Sequence, residues 1–141
     1  MGSINKTKRP SKQRKYVRQA HSFIRHKLIS SRLSKDLQKK YKVKKMPVRT
    51  GDIVYVASGD FIGTEGKVLS MDYKRQRLSI EGIAREKTDK SKIMYPIHAS
   101  KVVIRRFGKV DGSRKEILER RAKTKLDIEA EDISEITTEE E

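Results

Sequence analysis

The positive charge of this chain is unevenly distributed, which limits the part of it that can fold unaided. Residues 1–50 contain 17 Lys and Arg and one acid, Asp36, so their formal net charge of +16 equals that of the whole 141-residue chain. Like charges this dense on a short polar segment repel one another unless an anion neutralises them. The backbone of a nucleic acid is the polyanion that best matches such a segment.

Enough apolar residues for a hydrophobic core occur only between about Arg49 and Phe107. The whole chain is 34% hydrophobic and 38% charged, so this core must be modest and the flanks should become ordered on a partner. The absence of cysteine excludes disulfides, thiolate zinc sites and cysteine nucleophiles. No apolar run approaches the ~20 residues of a membrane span, and we expect no membrane partner.

Residues 1–18 are predicted to form a basic extended arm. Their cations are spaced so that they can thread between phosphates, and Tyr16 is placed to stack on a base or a ribose. The alternative is a disordered, solvated tail.

Residues 19–47 are predicted to contain short basic helices. Ala20, Ile24 and Leu28 recur at helical spacing, which predicts an amphipathic helix over residues 19–31 that ends at the two serines. Ser34 fits the N-cap of a second helix over residues 35–41, whose first turn holds Asp36 where the helix dipole favours an anion.

From residue 48 onward the apolar period changes to two. It predicts about five short strands, at residues 53–56, 66–73, 77–83, 93–97 and 102–107. Short, closely spaced strands with glycines at the bends favour a small closed barrel over residues 48–107, so the fold class is mainly β.

The barrel is followed by a predicted basic helix within residues 108–126, begun by a capping box of Ser113 and Glu116. A solvated helix is the alternative to one that faces RNA. Residues 127–141 carry eight acids and no base, and we expect this acidic tail to be disordered.

The sequence offers no catalytic or metal-binding constellation, and we expect no enzyme, cofactor or metal. His21, His26 and His98 lack metal-ligand spacing, and acids such as Asp52 and Asp60 are expected on solvated rims of the barrel. Gly63 and Gly66 are predicted to shape the loop before the second strand. They are also candidates for phosphate contact through exposed backbone N–H groups, with Lys67 beside them.

Residues 49–68 resemble a KOW motif, with its Gly-Asp, a hydrophobic strand, a loop containing Gly59, Gly63 and Gly66, and a final Lys-Val. Residues 21–25, 33–37, 42–49, 97–104 and 117–123 are similar to the universal large-subunit ribosomal protein family twenty-four, in the archaeal and eukaryotic form called L-twenty-six in eukaryotes. The similarity covers roughly residues 11–125. The acidic tail departs from the basic or mixed C-terminus usual in this family, and residues before Ser11 match weakly.

The resemblance implies a structural protein with an SH3-like barrel that binds the 5′ domain of large-subunit rRNA near the polypeptide exit tunnel and joins the subunit early in assembly. The partners it implies are large-subunit rRNA and neighbouring ribosomal proteins, with no small-molecule substrate. It implies a cytoplasmic location in the ribosome, and a nucleolar one during assembly in a eukaryote. The candidate RNA-binding residues are Lys6, Lys8, Arg9, Lys12, Arg14, Lys15, Tyr16, Arg18, Arg25, His26, Arg32, Lys44, Lys45, Arg49, Gly63, Gly66, Lys67, Lys74, Arg75, Arg77, Arg85, Lys87, Arg114, Lys115, Arg120 and Arg121.

Two other functions remain open from the residues alone. The KOW motif also occurs in transcription elongation factors of the NusG type, which carry a polymerase-binding domain that we do not find in this chain. A basic arm also suits an anionic membrane surface or an acidic protein.

Overall fold

The computed structural model describes residues 7–122, a sheet-rich region with four α-helices. Residues 1–6, which include the predicted Lys6, residues 123–126 and the acidic tail 127–141 lie outside the described residues. The helices are α1 (Pro10–Gln19), α2 (Ser22–Leu28), α3 (Lys35–Tyr41) and α4 (Gly112–Ala122). The strands are β1 (Ser30–Leu33), β2 (Lys45–Pro47), β3 (Ile53–Val56), β4 (Glu65–Asp72), β5 (Arg77–Ile80), β6 (Ala84–Glu86), β7 (Lys92–Met94), β8 (Ile97–His98) and β9 (Val102–Arg106), with a 3-10 helix at Ala99–Lys101.

Seven strands form one sheet in the order β2-β1-β9-β3-β4-β5-β8, and β6 and β7 form a separate hairpin. The β1–β9 pair is parallel and the other pairs are antiparallel. Because β2 and β8 end the sheet without pairing to each other, the hydrogen-bonded sheet is open. The prediction of a small domain built on a β-sheet is confirmed at this level, but the domain also contains four helices and its sheet is not a closed ring of strands.

One hydrophobic core unites the strands predicted from the sequence with the segments before and after them. Val54, Leu78 and Ile104 come from the central strands, while Ile29 precedes β1 and Leu118 lies on α4, and all five are fully buried. Helices α3 and α4 therefore pack on the sheet's own core through Tyr41 and Leu118, whereas α1 and α2 contain no buried residue.

The extended conformation predicted for the basic arm is wrong for residues 10–18, which form α1. Pro10 occupies the first helical turn, where its missing N–H costs nothing, and the following Lys, Gln and Arg residues are good helix formers. The carbonyl of Arg9 closes the first turn by accepting the Gln13 N–H at 3.1 Å. The helix has no buried residue, so it lies on the surface.

The region predicted to hold only short helices also contains β1 and β2. The first predicted helix is shorter than expected, because α2 ends at Leu28 and the chain then becomes extended. Ile29, Ser31 and Leu33 point alternately inward, but Ser31 conceals this pattern because it is a polar residue in the core. Its hydroxyl donates to the carbonyl of Ala99 at 2.5 Å, which allows its burial.

The second predicted helix is confirmed in its bounds and its capping. Helix α3 begins after Ser34, whose hydroxyl accepts the Leu37 N–H, and Asp36 lies in its first turn. The capping box predicted at Ser113 is wrong. Helix α4 already begins at Gly112, and the carbonyl of Asp111 accepts the Arg114 N–H at 2.9 Å.

Within residues 7–122, no helix combines the length and hydropathy needed to cross a bilayer.

Candidate nucleic-acid interface

Arg114 is a predicted RNA-binding residue that the structure assigns to the protein interior. Its side chain is 1% exposed, and its two terminal nitrogens each donate to one oxygen of Asp52 at 2.7 Å. Its guanidinium also lies 4.2 Å from the centre of the Phe107 ring. The prediction that Arg114 contacts RNA is therefore wrong, and its charge is neutralised inside the fold.

Asp52 is likewise buried, at 0% exposure, and does not lie on a solvated rim as predicted. Besides both nitrogens of Arg114, its carboxylate accepts the backbone N–H groups of Arg49 and Gly108, each at 2.9 Å. This aspartate belongs to the Gly-Asp that opens the KOW motif. Its role here is to join the start of β3, the end of β9 and α4.

Arg49 is half-buried and helps to hold the start of α4. Its terminal nitrogens donate to Asp111 at 2.8 Å and to the hydroxyl of Ser113 at 2.9 Å. The guanidinium predicted to face RNA thus has two partners within the protein.

The structural role predicted for Gly63 and Gly66 is supported by their geometry. Gly63 has φ +90, and its N–H donates to the carbonyl of Val56 at 3.0 Å, so the N–H predicted to face a phosphate is occupied. A Cβ on Gly66 would lie 2.5 Å from the backbone oxygen of Glu81, so only glycine allows this close approach of the chain.

Four cations from three elements meet at the β2 end of the sheet, and we call Arg32, Lys45, Arg120 and Arg121 the cationic edge. Arg32 and Lys45 are directly opposite each other in the β1–β2 pair, and both are exposed. Like charges directly opposite in a sheet destabilise the free protein. Within residues 7–122 none of the four forms an ion pair, so the arrangement has the charge pattern of a polyanion-binding surface.

Arg121 connects α4 to this edge. Its terminal nitrogen donates to the carbonyl of Lys45 at 2.5 Å. Partial burial and the neighbouring Arg120 lower the pKa of the Arg121 guanidinium, because both disfavour its charged form. The cationic edge therefore concentrates positive charge that no ion pair within residues 7–122 neutralises.

A second group of cations surrounds an open groove between α1 and the β4–β5 turn. Its lining consists of Gln13, Arg14, Val17, Arg18 and Lys74, and we call it the helix–turn groove. Arg14 and Arg18 are one helical turn apart, a like-charge spacing that destabilises an isolated helix. Helix α1 carries four cations and no acid, so no carboxylate within the helix can neutralise their charge.

Other predicted residues hold α1 and α2 near this groove. Arg25 on α2 donates to the carbonyl of Arg18 at 3.4 Å. The His26 ring lies 4.0 Å from the ring of Tyr73, beside the β4–β5 turn. Tyr16 is half-buried with its hydroxyl shielded from solvent, so it is less available for stacking than predicted.

The β4–β5 turn is shaped by Asp72, whose carboxylate accepts the N–H groups of Lys74 and Arg75 at 2.9 and 3.0 Å. The hydrogen bond from Arg75 is the main reason that the pKa of Asp72 lies below its usual range, and it outweighs desolvation. Asp72 thereby fixes the backbone that presents two of the predicted cations.

The remaining predicted cations are exposed, and the contacts in the structure do not join them to either group. They are Lys8, Arg9, Lys12, Lys15, Lys44, Lys67, Arg75, Arg77, Arg85, Lys87 and Lys115. Arg85 and Lys87 belong to the β6–β7 hairpin, whose strand residues are all exposed.

Sequence reasoning missed Lys101 and His98, which lie beside Arg77 in a second groove. His98 lies beside Arg77 because these two residues are directly opposite each other in the β5–β8 pair. No local pattern in the sequence identifies them, because the register of this pair joins residues 21 positions apart in the chain.

The fold and its two cation groups define a small, basic, sheet-rich protein suited to binding a polyanion. A family model that describes the ribosomal proteins L26 of eukaryotes together with their archaeal counterparts matches residues 7–121. The chain therefore belongs to this family of ribosomal proteins, which confirms the prediction from sequence. Members of the family are structural components of the ribosome and not enzymes.

Curated relatives support the same assignment. Three archaeal proteins named large ribosomal subunit protein uL24 are similar to this chain along most of their lengths. The relative from Korarchaeum cryptofilum is 47% identical over 116 residues, which is 82% of this chain and 88% of the relative. Those from Sulfolobus acidocaldarius and Pyrobaculum islandicum are 42% and 44% identical, cover 82% and 81% of this chain, and are themselves covered over 86% and 93%.

Proposed function

We propose that this protein binds large-subunit rRNA as a structural constituent of the large ribosomal subunit, near the polypeptide exit tunnel, and supports an early step of subunit assembly. The cationic edge is the observation that carries the proposal. Arg32 and Lys45 lie directly opposite each other without an ion-pair partner among residues 7–122, and Arg121 adjoins them. Packed rRNA helices supply the dense phosphate that this arrangement needs.

The mechanism is electrostatic and architectural. The sheet holds the β1–β2 cations at a fixed separation, and α1 adds the cations of the helix–turn groove. Each phosphate neutralised by these side chains releases counterions, so binding weakens as salt is raised. The protein recognises the phosphate backbone and the shape of the RNA, because the narrow major groove of A-form RNA conceals the base edges.

We further infer that β3, β4, β5, β8 and β9 curl into an SH3-like barrel. These five strands are neighbours in the order β9-β3-β4-β5-β8. Register shifts at Ile53/Val54 and Val68/Ser70 support strong local bending of the strands.

The partners follow from the function proposed here: large-subunit rRNA and adjacent ribosomal proteins, in the cytoplasm. The similarity to archaeal relatives named large ribosomal subunit protein uL24 supports this choice over a transcription module or a membrane-surface binder. Nucleolar residence during assembly would apply only if the source is a eukaryote.

The proposal is tested by titrating the full-length protein with an RNA fragment of the large-subunit 5′ domain at several salt concentrations. The variant Arg32→Gln with Lys45→Gln should bind more weakly and lower the slope of log K against log salt by roughly 1.4 to 1.8, for two lost phosphate contacts. The matched control is Lys35→Gln with Lys109→Gln, which removes two exposed cations outside both groups and should leave the slope unchanged.

Equal slopes for the test variant and the control would refute the role of the cationic edge. Sedimentation provides a second check, because the native protein should remain with the large subunit after a high-salt wash. Its recovery with membranes or RNA polymerase instead would refute the proposed function.

A further inference from the structure

A second groove lies between the β3–β4 loop and the segment around β8. Gly59 and Phe61 line it from the loop, Tyr95 and His98 line it from around β8, and Arg77 and Lys101 contribute cations. The loop is tied to the opposite wall because the Ala57 N–H donates to the carbonyl of Lys101 at 2.9 Å. None of these residues belongs to the cationic edge or to the helix–turn groove.

The aromatic part of this groove is held in place by the core. The rings of Phe61 and Tyr95 are 5.2 Å apart between centroids, and each packs against the core while remaining partly exposed. The two rings are inclined at 47° to each other, so they form an angled platform in which a flat base can stack on one ring, and such stacking tolerates any base.

The cations of the groove are positioned and lack acidic partners. One terminal nitrogen of Arg77 donates to the carbonyl of Pro96 at 3.0 Å, which fixes its guanidinium near Tyr95. A Cβ on Gly59 would lie 3.6 Å from the Lys101 ammonium, so the missing side chain leaves this ammonium less covered. Neither Arg77 nor Lys101 forms an ion pair in the described part of the chain.

His98 adds a third polar group whose ring orientation is fixed. Its Nδ1 lies 2.8 Å from the hydroxyl of Ser100 and accepts the Ser100 N–H at 3.2 Å. Asp60 is the acid in the lining, and it is exposed. The groove thus combines an aromatic platform with two cations and a fixed imidazole.

We propose that this groove binds one unpaired nucleotide of RNA, with its base on the Phe61–Tyr95 platform and its phosphate between Arg77 and Lys101. The inference rests on the proposed function and adds to it a site that distinguishes an unpaired nucleotide from a base-paired one. A paired base cannot reach an aromatic platform, whereas a bulged or loop nucleotide can be splayed out and stacked. Phosphate neutralisation at the cationic edge requires no such unpaired base.

The test compares two RNA probes that differ by one nucleotide. The full-length protein is titrated with a short RNA duplex and with the same duplex carrying one unpaired uridine, at one salt concentration and with fluorescence anisotropy as the readout. The wild-type protein should prefer the bulged duplex by about 5- to 150-fold, the contribution of one base–aromatic stack.

The variants separate stacking from charge. Tyr95→Leu keeps an apolar side chain against the core and should abolish most of the preference, whereas Tyr95→Phe should retain it. Lys101→Gln should weaken binding of the bulged duplex more than that of the plain duplex. The matched control Lys109→Gln, which removes an exposed cation outside the groove, should leave both affinities unchanged. Circular dichroism of each variant confirms that it is folded.

The outcomes distinguish this inference from the proposed function. Binding of both probes with equal affinity, or a preference unchanged in both Tyr95→Leu and Lys101→Gln, would overturn the nucleotide site and leave the rRNA-binding function standing. Failure of the wild-type protein to bind either probe, or the rRNA fragment, would overturn the proposed function itself.

Discussion

Replacing Asp52 by Asn should destabilise the protein severely, because it leaves the Arg114 guanidinium buried without a counter-charge. Both side chains are almost completely buried, and they are joined by two hydrogen bonds of 2.7 Å. The Asn amide nitrogen also places a donor among the donors of Arg114, Arg49 and Gly108. The substitution therefore removes a charge and creates a hydrogen-bond conflict in the same place.

Breaking a buried ion pair by removing one partner costs about 3–5 kcal/mol. Domains of this kind have unfolding free energies of about 5–15 kcal/mol in total. The ratio of folded to unfolded protein should fall by roughly a hundred- to several-thousand-fold. The assay is urea unfolding of the full-length chain followed by far-ultraviolet circular dichroism.

Two further variants test whether the loss of stability comes from burial of an unpaired charge. Glu65→Gln removes the exposed partner of Arg105, whose nitrogen is 3.3 Å away, and should cost less than about 1 kcal/mol. Asp52→Asn combined with Arg114→Met removes both buried charges and should lose less than the sum of the single losses, by about 0.5–3 kcal/mol. A loss for Asp52→Asn no larger than that for Glu65→Gln would refute the reasoning.

Three other predictions concern binding, packing and pH. Deleting residues 1–18 should weaken rRNA binding and flatten its salt slope while the circular dichroism of the sheet persists, and an unchanged slope would exclude a role for this segment. Gly66→Ala should destabilise the protein by about 1–3 kcal/mol in urea unfolding, because its Cβ would lie 2.5 Å from a backbone oxygen. Gly112→Ala, with nothing within 4 Å, is its control and should be neutral or slightly stabilising. The backbone N–H of Arg75 is the chief reason that the pKa of Asp72 lies below its ordinary value of 3.8. The carboxylate therefore contributes fully to stability above pH 3.8, and this contribution is lost as the pH falls from 3.8 through the lowered pKa. Thermal melts of Asp72→Asn should therefore show less acid destabilisation than wild type, and identical pH profiles would contradict this.

Some elements of the fold could be predicted because local chemistry determines them. Helix α3 has a serine cap and an acid in its first turn, and both act within a few residues of the chain. Strand β5 alternates polar and apolar residues, and β3 and β9 contain short runs of Val, Ile and Tyr, and both patterns are typical of strands. The family could also be identified, because its motifs are contiguous in the sequence.

Other elements depended on partners distant in the chain. Strand β1 includes the buried Ser31, which is acceptable only because the carbonyl of Ala99, 68 positions away, accepts its hydroxyl. Helix α1 was predicted to be extended because its charge argues against folding alone. No local pattern could show that its residues would lie beside Lys74 on the body of the protein.

The amino-acid sequence by itself determined the excess of cations, the small β core and the family, since charge, periodicity and motif spacing are properties of the chain. Tertiary structure alone decided which cations face solvent. Arg114 and Arg120 occupy the same basic helix, yet Asp52, which is 62 positions from Arg114, neutralises that arginine inside the protein, and Arg120 stays exposed. Charge is carried by each residue wherever it lies, but its availability to a partner depends on what the folded chain brings against it.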